Sequence, residues 1–218
     1  MAQYKVGMET KSKIIEVCRK LFYEKGYTET TYKDIASLVG IKDASIVYHF
    51  PQKSDIYSAV YSSAMGKCSE EVRSYITKNE NKEYLAFMLY YYILGYKNWH
   101  DENYRRFMAY SFNMSNSDPY TFYNDYFSRF DLVNVDEFMK ENALKFRSCY
   151  FMDIGFNKDV GENFNYYSEN YTFIEVSTHT LLMYAKIFDM PSELVNRAFS
   201  EIREILNRVD WEKLDTRL

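Results

Sequence analysis

The chain has 218 residues, 47% of them hydrophobic, enough for one large core or two small ones. With only seven Gly and three Pro it excludes a turn-rich sandwich or barrel and points to an all-α fold. The net charge of −4 conceals an asymmetry: residues 1–55 hold nine Lys or Arg against seven Asp or Glu, so the N-terminal quarter is the part suited to approach a polyanion.

Residues 9–25 read as a helix, because Ile14, Cys18, Leu21 and Phe22 form one apolar stripe and Gly26 stops it. Thr31 and Asp34 frame a capping box for a short helix over 32–39 that buries Ile35, Ala36 and Val39. Gly40 ends it, a tight turn follows at 40–43, and a helix of about two turns covers 44–50 before Pro51 closes it. Helix, Gly-containing turn and helix, braced by a preceding helix, is the helix-turn-helix pattern. Ile41, Ile46 and Phe50 are its inward anchors; Lys42, Asp43, Ala44, Ser45, Val47, Tyr48 and His49 are left to face out. Small and polar residues beside an exposed aromatic suit insertion into a major groove.

A long helix is expected over 53–76, then further helices over 80–98, 102–115, 119–131 and 135–150. The Asn-rich stretch 157–170 reads as a loop. A helix over 171–188 and a last one opened by Pro191 and running to 209 complete the chain. The apolar seam of these two looks too wide for one chain's neighbours to cover, which is consistent with a partner. Leu181, Ala185, Phe188, Val195, Phe199, Ile202 and Leu206 are the candidate interface.

At residues 10–57 the sequence resembles the TetR family of bacterial transcriptional regulators. The residues that carry the resemblance are Gly26, Tyr27, Thr30, Thr31, Ile35, Ala36, Gly40, Ile41, Phe50 and Lys53. Three positions depart from the family pattern: Lys42 stands where a capping Ser is usual, Ala44 where Gly or Pro is usual, and Val47 where a phosphate-binding Tyr is usual. The resemblance implies a helix-turn-helix domain over 1–52 and a larger helical effector-binding and dimerisation domain over 53–218. It implies double-stranded operator DNA as partner, a homodimer paired through its last two helices, and release from a palindrome by a small molecule.

Carried over by position, Thr31, Lys33, Lys42, Ala44, Ser45, Tyr48, His49 and Lys53 are the candidate DNA-contacting residues. Lys53 and Thr31 would hold phosphates, and Ala44 and Tyr48 would meet bases. An effector pocket inside the second domain has Phe87, Tyr91, Phe107, Tyr110, Tyr123 and Phe127 as candidates, since aromatic walls with tyrosine hydroxyls offer apolar surface and a few directed polar groups. A helical binding module that has lost operator recognition is the alternative, with Asp43 and Val47 as its footing.

An enzyme is not expected: there is no GxSxG, Walker, GxGxxG or HExxH motif. No cofactor or metal is expected either. Cys18, Cys68 and Cys149 form no CxxC pair and leave one over from any disulfide, which fits a reduced, cytoplasmic setting. No signal peptide is visible at the start. The longest apolar run, residues 84–96, is shorter than the roughly 20 residues a bilayer requires, so no membrane partner is expected.

Overall fold

The computed structural model describes residues 2–76, 83–111 and 140–218, and every regular element among them is helical. In chain order these are α1 (Ala2–Glu24), α2 (Tyr32–Val39), α3 (Asp43–His49), α4 (Lys53–Tyr75), α5 (Glu83–His100), α6 (Glu102–Ser111), α7 (Ala143–Glu162), α8 (Phe164–Asn170), α9 (Phe173–Ile187) and α10 (Ser192–Leu206). A single 3₁₀ turn follows at Trp211–Lys213.

The head is built from local signals that agree with one another. Ile14, Cys18 and Phe22, four residues apart, are fully buried along α1. Gly26 takes a positive φ of 91°, the left-handed turn a helix needs to stop. The Thr31 hydroxyl accepts from the Asp34 amide at 3.1 Å, and the Asp34 carboxylate accepts from the Thr31 amide at 2.8 Å. Gly40 ends α2 at φ 79°, and the amides of Gly40 and Ile41 both return to the Ala36 carbonyl. The start of α3 differs from expectation. Lys42 is its cap and makes no side-chain capping bond, so Asp43 is simply the first helical residue and the Ser45 amide bonds the Lys42 carbonyl instead.

α4 leaves the head and enters the body, burying Ile56, Val60, Met65, Cys68 and Val72. α5 lies at the centre of the body, packed by α4, α6, α9 and α10. Gly95 of α5 faces Ser177 of α9, whose hydroxyl occupies the space an added Cβ would take. The apolar core runs without a break from Ile14 through Tyr57, Leu89 and Ile93 to Leu218. The three thiols are buried, and burial pushes each up to about 12, the environment of inert core residues.

Two sequence expectations are corrected. The stretch 157–170 is helical, not a loop: α7 runs on to Glu162, and α8 follows after Asn163. α8 buries nothing fully. It is held by contacts no periodicity announces: the Arg105 guanidinium lies 3.5 Å over the Phe164 ring, and the Tyr167 hydroxyl donates to Asp159 at 2.5 Å.

The second correction concerns the seam of the last two helices. Leu181, Ala185, Ile202 and Leu206 are buried within the single chain, Ile202 to 1% exposure, because α9 and α10 both turn their broad apolar faces onto α5. Phe188, Val195 and Phe199 are half-buried. The outward apolar residues of α9 are instead Ile174 and Leu182. The expected helix over 119–131 lies outside the described residues, as does the first part of the one over 135–150.

Candidate nucleic-acid interface and the aromatic interior

α3 is held to the head by Ile46 and Phe50, both buried, and presents the opposite face to solvent. On that face Tyr48 is 83% exposed and Val47 45% exposed, with Lys42, Asp43 and Ala44 exposed beside them. Ser45 is half-buried, and so is His49, whose ring meets the Tyr48 ring edge-on at 5.3 Å and lies beside Gly7 of α1. Lys33 is exposed on α2. Lys11 is exposed on α1, its ammonium 5.0 Å over the Phe50 ring.

Two of the residues expected to hold phosphate have internal partners. The Lys53 ammonium donates to the Tyr27 and Thr30 carbonyls, each at 2.9 Å, and lies 4.2 Å over the Tyr27 ring. Burial holds its pKa below the usual lysine value. Its charge ties the 27–30 turn to the start of α4. The Thr31 hydroxyl donates to Asp34 at 2.8 Å, so it is turned into the cap of α2 and not outward. Asp34 also pairs with Lys25 at 2.7 Å, which holds its carboxyl well below the usual range. Lys13 donates to the Val39 carbonyl at 2.8 Å, closing the end of α2. The head thus uses Lys13, Lys25 and Lys53 as internal ties and leaves Lys33 and Lys42 on its surface.

The candidate effector residues do not form one group. Phe87 and Tyr91 pack together, ring centroids 5.0 Å apart, and both meet Tyr184. The Tyr91 hydroxyl donates to the Asp153 carboxylate at 2.8 Å, and its oxygen lies 2.7 Å from the Tyr184 hydroxyl oxygen. Tyr184 also donates to Asp153. Burial pushes the Asp153 carboxyl up to about 6 against the opposing pull of the two tyrosine hydroxyls. Phe146, Cys149, Met152 and Phe188 close the apolar side of this cluster.

Phe107 and Tyr110 lie elsewhere. Phe107 is buried 4.8 Å from the Tyr57 ring, its carbonyl accepting from the Tyr57 hydroxyl at 2.7 Å. Tyr110 stacks on Tyr27 at 4.0 Å. These two are the aromatic joint between α6 and the head, where α6 runs against α1 and Phe107 meets Tyr57 of α4, while Ala109 between them faces Gly161 of α7. Tyr123 and Phe127 fall outside the described residues. Sequence reasoning missed Asp153 and Tyr184, which stand in different helices far along the chain from Tyr91 and share no local motif with it.

Among the described residues no group of three His, Cys, Asp or Glu is placed to hold a metal ion. No helix among them is long and apolar enough to cross a membrane.

Residues 14–60 match the family described as bacterial regulatory proteins, tetR family. Over 87 residues the chain is 39% identical to the biofilm operon icaADBC HTH-type negative transcriptional regulator IcaR of Staphylococcus aureus strain Newman, a match spanning 39% of this chain and 45% of that one. It is 34% identical over 94 residues to the regulator of the same name from Staphylococcus epidermidis, covering 43% of this chain and 49% of that one. The chain therefore spans about half the length of the curated relatives it matches. A solved TetR-family transcription regulator from Shewanella sp. PV-4 aligns over 80% of this chain and 95% of its own at 12% identity with a TM-score of 0.47, a likeness too slight to add to the match in sequence. With its capped α2, its left-handed Gly40 turn and its outward α3, the segment over residues 14–60 is similar to the N-terminal part of the tetR family of bacterial regulatory proteins.

Proposed function

We propose that this chain is a cytoplasmic DNA-binding transcriptional repressor that binds a palindromic operator as a homodimer and is released by a small molecule. The observation that carries the reading is the outward face of α3, with Tyr48 and Lys42 presented from within residues 14–60, the segment that matches the tetR family of regulatory proteins. In this reading residues 1–52 read DNA and residues 53–218 bind effector and dimerise. Ala44, Ser45, Tyr48 and His49 face the groove, and Lys33 and Lys42 meet phosphates. Thr31 and Lys53 act indirectly, by fixing α2 and the turn that positions α3. One short helix supplies too few contacts for specific affinity, so two heads on a twofold axis are required. Ile174 and Leu182, with the half-buried Phe188, Val195 and Phe199, are the candidate contact surface.

In this reading the effector binds at Phe87, Tyr91, Tyr184 and Asp153, a reading supported by the aromatic rings gathered around a buried carboxyl. A ligand there shifts DNA binding only through tighter binding to the form whose heads do not fit the operator, a coupling of about 1–3 kcal/mol. A binding module without operator recognition is the second reading, favoured by the exposed Val47 and by Asp43 at the start of α3.

A gel shift on DNA flanking the chain's own gene, at two salt concentrations, separates the two. Repression by operator binding predicts retention that falls steeply with salt and is undone by the effector. Equal retention of unrelated DNA, or none, favours the second reading.

A further inference from the structure

Beyond α10 the chain turns back across the body and reaches the head. Val209, Leu214 and Leu218 are buried in the main core, and Trp211 packs between Tyr96 at 5.2 Å and Phe173 at 5.0 Å. Hydrogen bonds extend the path. The Lys97 ammonium, on a residue only 6% exposed, donates to the Asp215 carbonyl at 2.7 Å and pairs with Glu71 at 2.9 Å. The Thr216 hydroxyl donates to Asp101 at 3.0 Å, and Arg19 of α1 donates to the Leu218 carbonyl oxygen at 2.6 Å.

These contacts converge on one joint. Asp101 stands between α5 and α6, accepts from Thr216, accepts from the Tyr23 hydroxyl of α1 at 2.6 Å, and caps α6 through the Tyr104 amide at 2.8 Å. On the far side of the joint Arg106 of α6 donates to the Tyr23 and Glu24 carbonyls at the end of α1, with Gly26 packed against its side chain. So the last residues of the chain, the end of α1 and the start of α6 share a single bonded network, although they are far apart in sequence.

We propose that residues 207–218 are a strap that latches the head to the body, and that its docking sets how firmly the end of α1 is held against α5 and α6. Three features make it a latch. It is irregular apart from one 3₁₀ turn, so it has little backbone bonding of its own to hold its shape. Its anchors are few and separable. Undocking takes away one of the two acceptors of the buried Lys97 ammonium, and leaving a buried charge short of a partner opposes release. A docked strap therefore stiffens the joint, and undocking, opposed by its buried anchors, frees the head as a local opening short of global unfolding.

The test reads the free full-length protein by amide hydrogen exchange, so it does not depend on whether DNA is the target. Thr216→Val removes the link to Asp101 from a half-exposed side chain, and Arg19→Ala removes the link to Leu218. Glu16→Ala is the control, because Glu16 is the other partner of Arg19 and touches no part of the strap. Each strap variant is expected to speed exchange about tenfold in residues 208–218, in residues 21–27 and in the first turn of α6, with Glu16→Ala unchanged. If Arg19→Ala does not fold, Thr216→Val alone decides. Faster exchange confined to 208–218, or a strap that already exchanges at the unfolded rate in the parent protein, overturns the proposal.

Discussion

α3 and α10 are both amphipathic helices that a reading of the sequence assigns to outside partners, and the structure treats them in opposite ways. α3 buries Ile46 and keeps Tyr48 and Val47 in water. α10 buries Ala198, Ile202, Ile205 and Leu206 in its own chain and shows solvent mainly polar residues, among them Asn196, Arg197, Ser200, Arg203 and Glu204. The lesson is about what an apolar stripe means. Width shows that a helix face is covered, but not by which chain; which chain covers it is settled by the packing, and in α10 that is the chain's own α5.

The sharpest way to break this contrast is Ile202→Glu. Placing a carboxylate where the chain leaves 1% exposure is expected to cost more than about 4 kcal/mol and abolish cooperative unfolding, whereas Leu182→Glu, at a position 38% exposed, is expected to stay within about 1 kcal/mol of the parent. Thermal unfolding with light scattering on both variants checks it. If Ile202→Glu folds with an unshifted midpoint and changes only the mass, α10 is an outer surface after all.

How much was legible follows the same divide. The head could be read residue by residue because its signals are local: Thr31 and Asp34 three apart, Gly26 and Gly40 at helix ends, Pro51 after α3. Among the described residues, the helices expected over 53–76, 80–98, 102–115, 171–188 and from Pro191 onward were legible by period. What fills its interior was not, because Asp153, Tyr91 and Tyr184 meet only through packing of three separate helices. α8 escaped because Asn and Tyr without an apolar stripe give no helical period. The strap escaped because Val209 reads as the end of the last helix, and beyond it Leu214 and Leu218 are too few apolar residues to set a period.

Gly40→Ala tests the local logic of the head at smaller scale. Nothing crowds an added Cβ there, so the whole effect is the left-handed backbone at φ 79°, about 1–2 kcal/mol of stability lost, seen as a lower unfolding midpoint. An unchanged midpoint would mean that the turn between α2 and α3 relaxes freely.

The smallest effect is expected at Asp153. A carboxyl held up to about 6 in the folded chain keeps its proton to higher pH than the unfolded chain does. Its contribution to stability therefore rises as pH falls from about 6 towards about 4 and is lost as pH climbs back. Asp153→Asn is expected to flatten that part of the stability profile, measured by denaturant unfolding across the window. A slope identical to the parent's would show that the carboxylate is ionised throughout.

The claim that α3 reads DNA is tested most directly by Tyr48→Ala, titrated against DNA from beside the chain's own gene with the unfolding midpoint measured in parallel. The account predicts binding weakened at least about tenfold, a loss of some 1–3 kcal/mol, with an unshifted midpoint because the side chain packs on little of its own chain. Undiminished binding by a folded Tyr48→Ala protein would contradict it.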